Sequence, residues 1–286
     1  MLKEIRDLGF EYAELGHGIR ISLLPGVYEA VDAGEIKISS LHNFCPLPIG
    51  VTHASPNLFQ FSSSDPRERE NAYRYSLKTI ETAARVKAPF VVLHLGSIAM
   101  WDYTRKLTEM LTAGQQATPK YEKLCWEASE KREQKKEQPM AWSLEVLERL
   151  ADQAEVRSLK LGIENREAIE ELPLEGDLPF FFKASARPGI GYWHDVGHAQ
   201  IKENLGFIHH QIHLESLADR LLGFHIHDVE FPSHDHRPPG QGMVDFAALK
   251  PSVKPEHAKV LELNPNTPVD QVQAGFDFIK SVWGPD

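Results

Sequence analysis

Cysteine is scarce in this chain, with two residues, Cys45 and Cys125, among 286. Two cysteines cannot build the disulfide framework of many secreted domains, so we expect a reducing environment. No apolar run is long enough to cross a bilayer, and the first residues lack the apolar core of a signal peptide. The sequence therefore predicts a cytoplasmic protein with no membrane segment.

Basic residues are in deficit, because 31 Lys and Arg stand against 41 Asp and Glu, a net charge of −10. Proteins that clamp nucleic acid usually carry a basic face, so this balance counts against a nucleic-acid partner. No glycine-rich phosphate loop follows any apolar run, which removes the main reason to expect a dinucleotide-binding fold. A small-molecule substrate is the simpler expectation.

Short apolar runs alternate with amphipathic stretches along the whole chain. The runs predict strands at 11–15, 38–44, 90–95, 160–164, 190–195, 222–228 and 258–263. The stretches between them predict helices at 1–8, 26–33, 66–87, 166–172, 200–220, 245–250 and 268–283. Residues 104–155 form a charged helical excursion, and we interpret its lysine- and glutamate-rich part as a solvated helix face.

This alternation, with no break in composition, is typical of one parallel sheet. It favours an α/β fold of the (β/α)8 TIM-barrel type in a single domain covering residues 1–286. The pattern reveals seven strands, however, and the chain opens on a helix. The barrel is therefore expected to lack its first strand, unless an unrecognised strand lies elsewhere. Uncovered edges of such a barrel favour a homodimer.

Each of the seven runs ends in an acidic residue or a histidine. These residues are Glu14, His42, His94, Glu164, Asp195, His225 and Glu262. Because the carboxyl ends of barrel strands meet on one face, we expect these side chains to gather around a ligand. Carboxylates and imidazoles are common ligands of divalent metals, so a metal is the simplest interpretation.

Glu164, Asp195, His225 and Glu262 come from four successive predicted strands and form the expected metal site. Three carboxylates and one imidazole suit Mn, Zn, Mg or Co, and do not suit copper or an iron–sulfur centre. Any one of them alone is better explained as a solvated group at a strand end. The four together favour the metal.

Two further histidines accompany these ligands. His198 follows Asp195 by three residues, so it is either a ligand or substrate contact, or a histidine at the start of the next helix. His227 shares a strand face with His225, and we expect it to lie behind that ligand.

A loop rich in proline and glycine carries His234 and His236. So many conformationally special residues favour a loop that presents ligands, and a solvated histidine-rich loop is the alternative. Arg237 in this loop, and Arg166 next to the first glutamate ligand, are candidates for holding a phosphate or carboxylate. As exposed arginines they would have no specific role.

His42 and His94 end two earlier strands. With Glu164 they would complete a second metal site; otherwise they are hydrogen-bonded histidines at strand ends. Glu14 is a weaker candidate, which either touches substrate or only lies at the rim.

At these residues the chain resembles the xylose isomerase-like TIM barrel superfamily. That group includes sugar and sugar-phosphate isomerases and epimerases, inosose and dehydroshikimate dehydratases, and AP endonucleases of the endonuclease IV type. The motifs that carry the resemblance are Leu161–Asn165, His194–His198, Phe224–Asp228, His236–Gly242 and Leu261–Asn264. Each motif is common alone, but their order and spacing along nearly the whole chain are specific.

The resemblance implies different ligand sets in different branches. In the epimerase branch, the positions of Glu164, Asp195, His225 and Glu262 bind one metal, the two glutamates exchange protons with the sugar, and the position of His198 touches substrate. In the endonuclease branch a trinuclear zinc site also uses the positions of His42, His94, His198 and His236. His234 departs from that branch, which has an aspartate there.

Three functional hypotheses follow. The first is a metal-dependent isomerase or epimerase of a small sugar, sugar phosphate or polyol, with Glu164 and Glu262 as base and acid and an enediolate stabilised by the metal. A dehydratase is a close variant, because it begins with the same proton abstraction. The second is a phosphoester hydrolase with two or three zinc ions. The third, a non-catalytic barrel, conflicts with the complete carboxylate set.

Overall fold

Seven strands form the main sheet, in the order in which they occur along the chain. The computed structural model describes residues 1–284. The strands are β1 (Tyr12–Leu15), β2 (Lys37–His42), β3 (Phe90–Leu93), β5 (Lys160–Glu164), β7 (Ile190–Asp195), β8 (Leu221–Ile226) and β11 (Ala258–Leu261). Within those residues no eighth strand joins the sheet. The predicted α/β fold of the TIM-barrel type, with seven strands and an initial helix, is confirmed.

Eleven helices of this part of the chain accompany the strands. They are α1 (Leu2–Asp7), α2 (Leu24–Asp32), α3 (Pro66–Val86), α4 (Tyr103–Thr112), α5 (Pro119–Lys135), α6 (Glu137–Glu155), α7 (Leu178–Ser185), α8 (Val196–Asn204), α9 (His210–Leu217), α10 (Phe246–Leu249) and α11 (Val269–Trp283). Four short strands complete the elements: β4 (Gly96–Ser97), β6 (Glu171–Leu172), β9 (Asp228–Glu230) and β10 (His234–Arg237). Every helix described is too short or too polar to cross a bilayer.

Local sequence explains where these elements begin and end. Asp65 caps α3, since its carboxylate accepts the backbone N–H of Arg67 at 2.8 Å. The expected helix 200–220 is two helices, because Gly206 between them takes a φ of 83°. The expected helix 166–172 is wrong. A proline after Leu172 disfavours helical backbone there, and the Glu171 carboxylate closes a turn onto the backbone N–H of Ala168.

The chain divides into two compact units. The first unit comprises Met1–Ser97, Gln138–Glu164 and Gly176–Gly191. Its parallel pairs β1–β2, β2–β3 and β3–β5 carry fully buried aliphatic side chains such as Leu41, Val91 and Leu161. Burial on both faces explains the continuous apolar runs from which these strands were predicted.

The second unit comprises Ile98–Glu137, Asn165–Glu175 and the chain from Tyr192 onward. In it β8 pairs in parallel with β7 and with β11, and β9 pairs antiparallel with β10. Part of its core lies between α4 and α5, where Tyr103, Leu107 and Tyr121 are buried. The solvated face expected for the charged excursion is wrong at Arg132, which is buried and donates to the carbonyl oxygen of Ile169 at 2.8 Å.

Candidate functional site

Three predicted ligands converge in the second unit, and we call Asp195, His225 and Glu262 the second-unit cluster. His225 Nδ1 lies 3.0 Å from Glu262 Oε2 and 3.9 Å from Asp195 Oδ2. Parallel pairing produces this meeting, since Asp195 is the register partner of His225 and β11 runs beside β8. One ligand atom from each residue lies within 4.8 Å of the others. Two buried donors and one half-buried donor at this spacing, all oxygen or nitrogen, fit a divalent cation.

Asp195 also begins the helix that follows it. Its Oδ1 accepts the backbone N–H of His198 at 2.7 Å, which caps α8. Its Oδ2 lies 3.9 Å from His225 Nδ1, and His227 Nε2 lies 3.0 Å from Oδ1 and 3.1 Å from Oδ2. The carboxylate is fully buried, and these contacts fix its orientation.

His227 orients Asp195 and is not itself suited to bind a cation. Its Nδ1 accepts the backbone N–H of His236 at 2.9 Å, so the ring proton is on Nε2. Nε2 lies 3.1 Å from Asp195 Oδ2 and donates to that carboxylate. The ring also stacks on His236 with 4.3 Å between centroids. The predicted place of His227 behind the ligands agrees with these contacts.

His198 is held by the turn that follows β5. Its Nδ1 lies 3.1 Å from the carbonyl oxygen of Asn165, to which it donates. The Arg166 guanidinium is 3.5 Å from the same nitrogen and pairs with Glu171 at 3.3 Å, with both side chains largely buried. Arg166 therefore pairs with a carboxylate of the protein, and its expected role in holding a phosphate or carboxylate of a ligand stays a prediction.

The histidine-rich loop exposes one of its two histidines. His234 is exposed and lies outside the grouped ligand atoms of the described residues, so its expected role as a metal or substrate residue stays a prediction. Its neighbour Asp235 instead lies with Glu167 and His198, and their ligand atoms are within 4.8 Å of one another. The pairing of β10 with β9 is irregular between His234 and Arg237, and His236 takes a positive φ of 53°, so the side chains of this segment do not alternate regularly.

His236 lies between two carboxylates of the second unit. Burial alone would lower its pKa, but the carboxylates of Asp235 at 3.1 Å and Glu262 at 3.9 Å outweigh burial and raise the pKa of His236 to about 11. A protonated His236 would donate hydrogen bonds beside the second-unit cluster.

Asp228 organises the same loop by accepting four backbone N–H groups. Its Oδ2 accepts from Gly240 at 2.9 Å and Gly242 at 2.8 Å, and its Oδ1 accepts from Val229 at 2.9 Å and Val244 at 3.0 Å. A Cβ on Gly242 would lie 2.4 Å from Asp228 Oδ1, so glycine is required there. The buried carboxylate thus fixes the proline- and glycine-rich segment after His236.

Replacing Asp228 with asparagine is expected to destabilise the fold by roughly 2–3 kcal/mol, because an amide nitrogen cannot accept two of these buried N–H groups. Urea unfolding measures the change. Asp245→Asn is the matched control, since exposed Asp245 accepts one N–H, from Ala248 at 3.0 Å. Equal losses for the two variants would contradict the role given to Asp228.

A first-unit cluster consists of His42, His94 and Glu164. Glu164 Oε2 lies 3.1 Å from His42 Nε2 and 2.9 Å from His94 Nε2, and all three side chains are buried. His42 Nδ1 lies 3.0 Å from the carbonyl oxygen of Asn43, so it carries the ring proton and Nε2 presents its lone pair to the carboxylate. Two acceptors that face each other need a proton or a cation between them. This arrangement fits the second metal site considered from sequence.

Two weaker candidates have protein partners. Glu14 Oε2 accepts a hydrogen bond from the Ser40 hydroxyl at 2.6 Å in the first unit. Arg237 is exposed and pairs with Glu230 at 3.3 Å. Their assignments as substrate contacts stay predictions. Sequence reasoning missed Glu167 and Asp235, because neither lies at the end of a predicted strand.

Comparisons with known proteins agree with this architecture. The sequence matches the family described as xylose isomerase-like TIM barrel over residues 2–282. No curated protein matches the sequence significantly. Among solved structures, a D-tagatose 3-epimerase-like protein has a TM-score of 0.70 at 17% identity, covering 98% of this chain and 91% of that chain.

Two other solved structures are similar to a comparable degree. D-psicose 3-epimerase from Clostridium cellulolyticum H10, crystallised with D-tagatose, has a TM-score of 0.69 at 14% identity, covering 99% of this chain and 93% of its own. L-ribulose 3-epimerase has a TM-score of 0.68 at 14% identity, covering 97% and 86%. At these identities the likeness shows a shared fold.

Proposed function

Because the chain belongs to the xylose isomerase-like TIM barrel family, we propose that it is a divalent-metal-dependent isomerase or epimerase of a small sugar, sugar phosphate or polyol. By family it is an isomerase- or epimerase-type enzyme, and the family leaves the reaction class open. The printed names of the similar structures, which are 3-epimerases of ketoses, support the choice of epimerisation.

The second-unit cluster is the observation that carries this proposal. Asp195, His225 and Glu262 would hold the metal. Glu164 is the fourth ligand that the sequence predicts. A bound divalent metal (Mn, Zn, Mg or Co) would polarise adjacent substrate oxygens and stabilise the negative charge that develops there. His198 donates through Nδ1 to Asn165, so its Nε2 would accept from a substrate hydroxyl group, whereas a protonated His236 would donate to one.

Glu164 and Glu262 are the proposed proton-transfer groups. The side chain of Glu262 is 28% exposed, whereas those of Asp195 and His225 are fully buried. Glu262 is therefore the member of the second-unit cluster that a substrate would reach directly. Proton removal from a carbon beside a carbonyl and its return on the other face invert that carbon. A dehydratase would use the same first step and then expel a hydroxyl group.

A phosphoester hydrolase is the second candidate, and the first-unit cluster is the observation that favours it. His42 and His94 both direct Nε2 at Glu164, which is more than a one-metal epimerase needs. In that reaction Glu164 would be shared by two metal sites. The acidic net charge of −10 favours a small phosphoester over DNA as the substrate.

Elemental analysis and deuterium exchange test the proposal together. We expect one tightly bound divalent metal per chain, and transfer of solvent deuterium to a carbon of the substrate when ketoses and inososes are incubated with the protein in D2O. Exchange is expected because proton abstraction precedes either epimerisation or dehydration. Two or three metals per chain, with hydrolysis of a nitrophenyl phosphodiester and no exchange, would instead identify the hydrolase.

The proposal also includes the cellular location, the oligomeric state and the type of substrate. The two cysteines support a cytoplasmic location. A homodimer would cover the terminal strands of the sheet order, β1 and β11. The acidic charge supports a small-molecule substrate in preference to nucleic acid.

A further inference from the structure

A lysine and a glutamate with no assigned role lie completely buried in the second unit. Lys202 and Glu175 have 0% and 1% of their side chains exposed, and Nζ lies 3.0 Å from Oε1. Within residues 1–284 the other oxygen of Glu175, Oε2, has no hydrogen-bond partner. The desolvation cost of a buried ion pair can exceed the attraction between its charges, so such a pair is weak evidence for stability. Its contacts indicate a second role.

The pair holds the turn that follows β5. Lys202 Nζ donates to the carbonyl oxygen of Arg166, and Glu175 Oε1 accepts from the Asn165 side-chain amide at 3.3 Å. Both residues of the turn are thus held from one side, Asn165 by its side chain and Arg166 by its backbone.

The turn at Asn165 and Arg166 also fixes the backbone of Asp195, a proposed metal ligand. Asn165 Oδ1 accepts the backbone N–H of Asp195 at 2.7 Å, and Asn165 Nδ2 donates to the Asp195 carbonyl oxygen at 3.0 Å. The Asn165 carbonyl oxygen accepts from His198. One asparagine therefore holds both peptide groups of Asp195 and the ring of His198.

Helix α8 places three residues of this arrangement on one face. Asp195 caps this helix, and His198 and Lys202 follow it by three and seven residues, so the three lie on one helix face. The same face thus carries a proposed ligand, a proposed substrate contact and the buried lysine.

We propose that Lys202 and Glu175 are positioning residues of the candidate metal centre. Through Asn165 they fix the direction of Asp195, and through the turn they fix His198. This inference rests on the proposed function, because it assigns the pair to the metal site of that function. Substituting residues that orient metal ligands without touching the metal typically lowers metal affinity by about 10- to 100-fold.

Mn²⁺ titration of the full chain, combined with thermal unfolding, tests the proposal. Lys202→Met leaves the Glu175 carboxylate buried without its counter-charge, so it is expected to lower the unfolding temperature and to weaken Mn²⁺ binding. The double variant Lys202→Met with Glu175→Met removes both charges and is expected to recover most of the stability. Its Mn²⁺ affinity should stay about 10- to 100-fold below that of the wild type, because Asn165 has lost its support.

The test is whether Mn²⁺ affinity and thermal stability change independently in the double variant. A merely structural pair would let metal affinity recover together with stability in the double variant, and that result would overturn the proposal. Glu175→Gln, which keeps an acceptor oxygen for Asn165, should bind Mn²⁺ more tightly than the double variant. Lys120→Met, at an exposed lysine on α5, should match the wild type in both measurements. A wild-type chain that binds no Mn²⁺ would overturn the proposed function as well.

Discussion

Replacing Glu262 with glutamine is expected to abolish turnover while the protein stays folded. Glutamine keeps the size of the side chain and one acceptor oxygen, but it carries no charge and cannot take up a proton at neutral pH. Loss of a proton-transfer group alone lowers the rate by roughly 100- to 10,000-fold. Loss of one anionic ligand beside His225, 3.0 Å away, should weaken metal binding in addition. Deuterium exchange into a ketose and Mn²⁺ titration measure the two effects.

Glu230→Gln is the matched control for this experiment. It is the same substitution in the same unit, at a side chain that is 58% exposed and paired with Arg237. Exposed ion pairs contribute little, so its turnover should equal that of the wild type. Unchanged turnover in Glu262→Gln would show that the second-unit cluster is not the reaction site. Lost exchange with unchanged Mn²⁺ affinity would retain the acid–base role and remove the ligand role.

The second-unit cluster was predictable because parallel strands constrain it strongly. Asp195 and His225 end apolar runs that could only be buried strands, and parallel pairing then makes them register partners. Their meeting with Glu262 needs no knowledge of the loops. The same reasoning brought His42, His94 and Glu164 together at the ends of their own strands.

Loop residues were less predictable, because no period fixes where their side chains point. His234 and Asp235 are neighbours in sequence, but the first is exposed and the second is partly buried near Glu167 and His198. The irregular pairing of β10 with β9 was not visible in the sequence. Arg166 was expected to hold a phosphate or carboxylate because it lies beside the proposed ligand Glu164, and its partner Glu171 was placed in a helix. The short strand formed instead brings that carboxylate to the guanidinium.

The role of Asn165 shows a further limit. Its position directly after a proposed ligand was visible in the sequence, but a polar residue at a strand end is usually solvated. Its function depends on the two peptide groups of Asp195, thirty positions later. Side chains that bind backbone leave no pattern of residue types, so sequence alone does not identify them.

Gly197→Ala is expected to cause the second large loss, through His227. A Cβ at position 197 would lie 1.9 Å from Cε1 and 2.3 Å from Nδ1 of that ring. The ring is fully buried and is held by Asp195 on one side and by the His236 backbone on the other. It cannot move away without breaking one of these hydrogen bonds. Overpacking costs about 1–3 kcal/mol and the broken buried hydrogen bond about 1–3 kcal/mol more.

Metal affinity should fall with stability in this variant, because His227 orients the Asp195 carboxylate. We expect Mn²⁺ binding to weaken by roughly 10- to 100-fold. Gly26→Ala is the control, since Gly26 also lies in the first turn of a helix and its added Cβ would meet no atom within 4 Å. That control should gain up to about 1 kcal/mol from better helix propensity.

A double variant separates the steric conflict from the loss of orientation. Adding His227→Ala to Gly197→Ala makes room for the new methyl group, so the free energy of unfolding should partly recover. Metal affinity should not recover, because no imidazole then donates to Asp195. If Gly197→Ala alone unfolds and binds Mn²⁺ as Gly26→Ala does, the ring is not confined as described. If metal affinity returns in the double variant, His227 has no part in orienting the ligand, and the glycine is required only for packing.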